Sequence, residues 1–183
     1  EGVWRQAGGS ILGQVKPGKL TPGARVLVTG TSIPLVSVIA DINKFSNNVM
    51  AQQLFLTLSS AGDQRGSFAE SRNRLAGWWR QQFGLRAAPK MENGSGLSRD
   101  ERISASSLTA MLQHAAQGKN AGAFQESLSI AGVDGTTARM RSRSPNSAAI
   151  GNARLKTGTL RDVTAIAGYA YGQSGQVYTV VAI

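Results

Sequence analysis

From Pro34 onward the apolar residues recur at helical intervals, with Leu35, Val38, Ile39 and Ile42 in one stripe and Pro34 suited to the first helical position. The stripe breaks at Lys44-Phe45-Ser46-Asn47-Asn48 and resumes as Met50, Leu54, Phe55 and Leu58, stopping near Gly62, so two helices meet at Ser46. Either Ser46 or Asn47 is suited to cap the second of them. Ser67-Phe68-Ala69-Glu70 has the form of a reciprocal capping box, Ser67 accepting and Glu70 reaching back. It opens a helix striped by Phe68, Leu75, Trp79 and Phe83 and ended by Gly84 followed by Leu85, with Trp78 and Trp79 expected in the core. Leu108, Met111, Leu112 and Ala115 mark a further helix ending at Gly118, and a short one covers about Phe124 to Leu128.

After a polar loop reaching Asn152 the pattern becomes that of strands. Three are expected, Leu155 to Thr159, Thr164 to Tyr171 and Val177 to Ile183, with Gly172-Gln173-Ser174-Gly175 as a hairpin turn. Helices followed by antiparallel strands predict an α+β domain. Residues 1 to about 30 read differently. Gly8-Gly9, Gly13, Pro17-Gly18 and Pro22-Gly23 punctuate them as short strands and turns, and Val26-Leu27-Val28-Thr29 is expected to be a strand. Trp4 and the apolar pieces around it have too little sequence to bury themselves, and the chain stops at Ile183 within an apolar strand. Both ends are therefore expected to be cuts in a longer protein.

Composition narrows the picture by exclusion. A hydrophobic content of 41% over 183 residues is that of a folded chain. No apolar run approaches the ~20 residues that span a bilayer, so no transmembrane segment is expected. Twenty Lys and Arg against ten acids give a net charge of +10, which favours polyanions such as nucleic acid, an anionic membrane surface or an acidic cell-wall polymer. Arg139, Arg141 and Arg143 would share one face of an extended segment. No aromatic residues interleave with them, so they read as a solvated loop and no nucleic-acid partner is expected. With no Cys and His114 as the only His, no metal site is expected, and a Ser-His-Asp triad would have to be built on one ring.

The candidate chemistry centres on Arg154-Leu155-Lys156-Thr157-Gly158-Thr159. Here a cation, a hydroxyl, a residue without Cβ and a second hydroxyl follow one another at a strand. In an extended segment Lys156 and Gly158 share one side and Thr157 and Thr159 the other, unless local twist brings them to one cleft. Glycine lets a ligand approach the backbone, where the next N–H can meet a developing oxyanion. On its own the stretch reads rather as a strand start with an exposed lysine. Glu92-Asn93-Gly94-Ser95-Gly96-Leu97-Ser98-Arg99 is a tightly specified loop, and it lacks the Gly-x-Ser-x-Gly order of a nucleophile elbow.

Ser46-Asn47-Asn48 and Lys156-Thr157-Gly158, 110 residues apart, fit the Ser-x-Asn and Lys-Thr-Gly elements of penicillin-recognising serine acyl-transferases. With Ile42-Asn43-Lys44-Phe45 before the first, the loop from Asn93 to Arg99, and Thr159-Leu160 after the second, the chain resembles the low-molecular-mass class C penicillin-binding proteins. Those are D-alanyl-D-alanine carboxypeptidases and endopeptidases of bacterial peptidoglycan. The resemblance covers about residues 25 to 183. It implies a serine β-lactamase/DD-peptidase-like α+β fold, an antiparallel sheet with a helical subdomain, incomplete at both ends. Residues 1–28 would be the exit of an inserted domain and residues 29–183 the C-terminal part of the catalytic domain.

The same resemblance implies roles. Ser46 would relay a proton to the leaving amine, Asn48 would hydrogen-bond the substrate's peptide carbonyl, and Lys156 would supply positive potential and hold the Ser46 hydroxyl. The Thr157 and Thr159 hydroxyls would bind the terminal carboxylate of D-alanine, beside Gly158, with the Thr159 N–H as half of an oxyanion hole. Implied partners are peptidoglycan peptides ending in D-Ala-D-Ala, β-lactams and an absent N-terminal portion of the same protein. The implied location is the periplasm, and no cofactor is called for. One departure stands out: the family's nucleophile lies in Ser-x-x-Lys, and no Ser here has Lys three positions later. The chain is thus expected to be inactive alone. The alternative is a non-catalytic domain that binds cell-wall peptide or glycan.

Overall fold

The chain ends in a four-stranded antiparallel sheet in the order β1 (Ser129–Ile130), β2 (Ala153–Leu160), β3 (Val163–Tyr171) and β4 (Val177–Ala182). This computed structural model describes residues 2–61, 64–84 and 88–183. Gly62 and Leu85, expected at the ends of two helices, lie outside the described residues. Two units divide the chain, Glu1–Ser32 and Ile33–Ile183.

The first unit has one short helix, α1 (Gly2–Gln6), where strands and turns were expected. Trp4 donates from its indole nitrogen to the Ser10 carbonyl at 3.2 Å. Val26, Leu27 and Val28 are 82%, 89% and 86% exposed and form no strand. An extended segment becomes a strand only when a neighbour takes up its N–H and C=O groups, and among the described residues none pairs with this one.

In the second unit the helices are α2 (Leu35–Phe45), α3 (Asn48–Thr57), α4 (Phe68–Phe83), α5 (Ala105–Gln117), α6 (Ala121–Ser127) and the single turn α7 (Met140–Arg143). The α+β expectation holds. Ser67 caps α4 by accepting from Glu70 N at 3.2 Å, but Glu70 does not reach back. The Ser67 N–H donates instead to the buried Ser59 hydroxyl at 2.9 Å, which leaves Glu70 to pair with Arg74. Trp79 is buried as expected. Trp78 is 39% exposed, its ring set edge-on against Trp79, Phe83 and His114.

The sheet carries apolar residues on both faces. Alternate residues of β3, Ala167, Tyr169 and Tyr171, pack with Leu112 of α5, Phe124 of α6 and Leu128. Ile166 and Ala170 point the other way, to Ala153 and Leu155 of β2 and to Ala131 and Met140. Tyr169 is fully buried, and its hydroxyl donates to the Leu112 carbonyl at 2.6 Å, locking β3 to α5. Burial pushes its phenol up to about 12, with the neighbouring Tyr171 adding to the shift. Tyr169→Phe should therefore lower stability by about 1–2 kcal/mol, because a buried carbonyl loses its partner while the ring stays packed. A urea midpoint equal to that of the parent, with the slope unchanged, would show that the bond contributes nothing.

Candidate active site

Ser46 sits where α2 gives way to α3. Its backbone is left-handed (φ 53°, ψ 48°), a conformation that costs a non-glycine residue roughly 1–2 kcal/mol and persists only where the surroundings over-determine it. Asn47 then caps α3, its side-chain oxygen accepting from Met50 N at 3.1 Å. Capping is thus taken by Asn47, which frees the Ser46 hydroxyl for something else. That hydroxyl accepts from Lys156 Nζ at 2.6 Å, across 110 residues of sequence.

Lys156 stands on β2 just beyond the point where the sheet narrows. β1 pairs only with Arg154 and Leu155, so from Lys156 onward one edge of β2 has no neighbouring strand among the described residues. A cavity of about 760 Å³ runs along that open edge, lined by Lys156, Thr157, Gly158 and Thr159. Alternate side chains of a strand reach one cavity because it borders the edge and not a face. The Lys156 ammonium also donates to the Thr157 carbonyl at 2.6 Å, and burial lowers its pKa from the ordinary lysine value. Nothing in the protein requires glycine at position 158. A Cβ there would meet only the Ala165 Cβ at 3.9 Å, an ordinary contact, so the room it leaves is on the cavity side.

The opposite walls come from two loops. Asn93 accepts from both the N–H and the hydroxyl of Ser95, at 3.0 and 2.6 Å, and Ser95 Oγ accepts from Leu97 N at 3.2 Å. Gly94 (φ 74°) lies so close to Phe55 that a Cβ would come within 2.5 Å of that side chain. Asn48, oriented by its hydrogen-bonding neighbours, donates from its amide nitrogen to the Ser95 carbonyl at 2.9 Å and the Ser46 carbonyl at 3.3 Å. It ties α3 to this loop.

The second loop was not expected from sequence to reach the site. In it a 3₁₀ turn, Gly135–Thr137, carries Thr136, whose hydroxyl accepts from Thr157 Oγ1 at 2.8 Å. Gly135 is left-handed (φ 53°), and a Cβ would overlap Ser129 Oγ and the Lys44 carbonyl. Lys44, two residues before Ser46, pairs with Asp134 at 2.5 Å and donates to the Leu128 carbonyl at 3.1 Å. Asn43 adds a bond to Ser127 Oγ at 2.8 Å. These contacts fasten the end of α2 to the end of α6 and, through Asp134, to the turn bearing Thr136. Burial acts to raise the Asp134 carboxyl, but hydrogen bonds from Lys44 and Ile130 N, with the charges of Lys44 and Arg154, outweigh it and hold the group below its ordinary range.

Of the three arginines expected on one extended face, Arg141 and Arg143 lie instead on the helical turn of α7, with Arg139 directly before it, and helical positions two apart point about 200° from each other. Arg139 lines the cavity, while Arg141 donates from Nε to the Gly132 carbonyl at 2.9 Å. His114 lies outside the cavity, its ring set against Trp78 and Phe83. Among the described residues no group of His, Asp or Glu could hold a metal ion. Thr136 and Arg139 were missed because their loop is polar and aperiodic. The only available signal was Asp134-Gly135, a turn pair followed by hydroxyls.

The sequence matches the D-Ala-D-Ala carboxypeptidase 3 (S13) family over residues 1–183. It is 32% identical over 164 residues to the D-alanyl-D-alanine carboxypeptidase of Actinomadura sp., covering 84% of this chain and 29% of that protein. To a carboxypeptidase of Mycobacterium tuberculosis it is 30% identical over 161 residues, covering 86% and 35%. Its fold is similar to penicillin binding protein 4 of Haemophilus influenzae, crystallised in complex with a β-lactam, with a TM-score of 0.81 and 26% identity. That match covers 97% of this chain and 41% of the other. The chain spans about a third of the length of the curated relatives it matches.

Lys44→Met should cost about 1 kcal/mol at neutral pH, since its ammonium and the Asp134 carboxylate are 20% and 35% exposed and solvent screens the pair. The folded pKa of Asp134 lies below its ordinary 3.8, so the pair's contribution is complete above that value and is lost as pH falls through the lower folded value. The difference in urea midpoint between parent and variant should therefore shrink on acidification below 3.8. A difference that persists unchanged there would refute the ion-pair account.

Proposed function

This chain belongs to the D-Ala-D-Ala carboxypeptidase 3 (S13) family, and on that premise we propose that it is the C-terminal part of a periplasmic serine-type D-Ala-D-Ala carboxypeptidase or endopeptidase. The observation that carries the reading is the 2.6 Å contact between Lys156 Nζ and Ser46 Oγ in a cavity lined by hydroxyls and amides. The substrates are peptidoglycan peptides ending in D-Ala-D-Ala, and β-lactams acylate the same site. The nucleophile stands in a Ser-x-x-Lys element carried by a part of the protein outside this sequence. Residues 1–28 are the exit of an inserted domain, a reading supported by the division of the chain at Ser32. Among the described residues no helix is long and apolar enough to cross a membrane.

In the proposed reaction the nucleophile's hydroxyl forms an ester with the penultimate residue's carbonyl, the peptide C–N bond breaks, and a proton passes to the leaving amine. Water later releases the acyl group. Because Lys156 donates to the Ser46 oxygen, that hydroxyl's own proton is free to be handed on, which suits Ser46 to the relay. The Lys156 charge favours an anionic substrate and the developing oxyanion. Asn48 exchanges its longer bond, 3.3 Å to the Ser46 carbonyl, for the substrate's peptide carbonyl. The Thr159 N–H contributes to the oxyanion hole beside Gly158, where the missing Cβ leaves the backbone open. Thr157 and Thr159 face the terminal carboxylate.

Two outcomes follow. Incubated alone with a fluorescent penicillin, this chain should form no covalent adduct detectable by mass; a stoichiometric adduct on any serine would overturn the absent nucleophile. In the full-length protein Ser46→Ala should slow acylation by about a hundredfold to ten-thousandfold, the range for positioned proton transfer. Its melting temperature should barely change, because Asn47 already caps α3. A lowered melting temperature with an unaltered acylation rate would reduce Ser46 to a structural residue.

A further inference from the structure

In the cavity beside β2 the lining residues include two cations, Lys156 and Arg139, and no Asp or Glu. Lys156 is committed to Ser46 Oγ and the Thr157 carbonyl. Arg139 is exposed and has no ion-pair or hydrogen-bond partner for its guanidinium among the described residues, whereas Lys44, Arg74 and Arg99 are held by Asp134, Glu70 and Asp162. A cation left unpaired beside a cavity without acids is poised for an anionic ligand.

A neighbouring hydroxyl is poised the same way. Thr157 Oγ1 spends its proton on Thr136 Oγ1 at 2.8 Å, so the donor left facing outward from this pair is the Thr136 hydroxyl. The turn that carries both Thr136 and Arg139 is held on three sides. Gly135 is packed against Lys44 O and Ser129 Oγ, the buried Thr137 hydroxyl bonds the Ile130 and Asp134 carbonyls at 3.0 and 3.1 Å, and Arg141 is tied to the Gly132 carbonyl. Thr136 is thereby fixed, and the backbone that carries Arg139 with it.

We propose that Thr136 and Arg139 form a carboxylate-recognition corner of this cavity, specific for the C-terminal carboxylate of the D-alanyl peptide or the equivalent carboxylate of a β-lactam. The inference rests on the proposed function and adds two substrate-binding residues to it. An anion received at the Thr157 and Thr159 end of β2 lies one hydrogen bond from Thr136, and Arg139 supplies the matching charge. Thr157 then also orients the Thr136 hydroxyl.

The test uses the full-length protein and measures acylation by a penicillin and by its methyl ester, which lacks the anionic carboxylate. Arg139→Gln should slow the free acid by about tenfold, the scale of one charge-assisted hydrogen bond, and slow the ester by less than about twofold. Arg139→Lys should recover part of the loss. Thr136→Val should show the same selectivity for the acid, with Thr136→Ser restoring it. Equal slowing of acid and ester, or no slowing of either, would overturn the carboxylate corner and leave the proposed function intact. A lowered melting temperature with both ligands slowed in proportion would overturn it as well. If the parent protein is acylated by neither compound, the proposed function falls and the inference with it.

Discussion

One hydrogen bond holds the candidate site in its working arrangement, that from Lys156 Nζ to Ser46 Oγ. It joins the open edge of a strand to a left-handed turn between two helices, and neither end could be kept by local structure alone. Ser46 needs an external partner to offset an unfavourable backbone, and Lys156 needs acceptors to offset the loss of water around its ammonium. Each supplies part of what the other lacks. The surrounding contacts, Lys44 to Asp134, Asn43 to Ser127 and Thr157 to Thr136, keep the two elements at the distance this bond requires.

That distance is set by topology. Had β1 continued alongside β2, its backbone would have occupied the edge where Lys156, Gly158 and the two threonines meet the cavity. Because β1 is only two residues long, the same strand is a sheet member up to Leu155 and a cavity wall beyond it. The chain reaches that arrangement because α6 runs up to Ser127, so no strand residues precede β1 to pair with β2 beyond Leu155.

Much of this was legible in the sequence. Apolar periodicity located α2, α4, α5 and the long strands, because each carries its apolar residues at the spacing of its own secondary structure. The Ser67 and Gly84 helix ends follow from local chemistry that needs no tertiary partner. Failures came where tertiary context decides. Val26 to Thr29 has the composition of a strand, yet no partner strand takes up its backbone among the described residues. Glu70 has the identity of a capping-box partner, but Ser59 reaches the Ser67 N–H first. In the site, Ser46, Asn48, Lys156, Gly158 and Thr159 could be singled out from two short motifs. Thr136 and Arg139 could not, since a polar loop without period carries no mark of which wall it will build. Their place shows only in the fold, where the Thr157 hydroxyl donates to Thr136 and Arg139 lines the same cavity.

Two costs converge on one cavity. A serine is held left-handed, and a lysine is buried against its preference for the charged form. The lysine's cost has a definite sign. Its folded pKa is lowered, so the penalty is full wherever the folded state keeps the ammonium, and it is relieved as pH rises through the folded value toward 10.5. Below that folded value the fold carries a charge whose burial costs it stability. Elsewhere the same chain resolves such conflicts, pairing Lys44 with Asp134 and giving the buried Ser59, Ser71 and Thr137 hydroxyls partners. Among the described residues these two costs fall together around the cavity beside the open edge of β2. Such a pattern is expected where an anionic partner from outside completes the electrostatics, and not where the fold alone has to be satisfied.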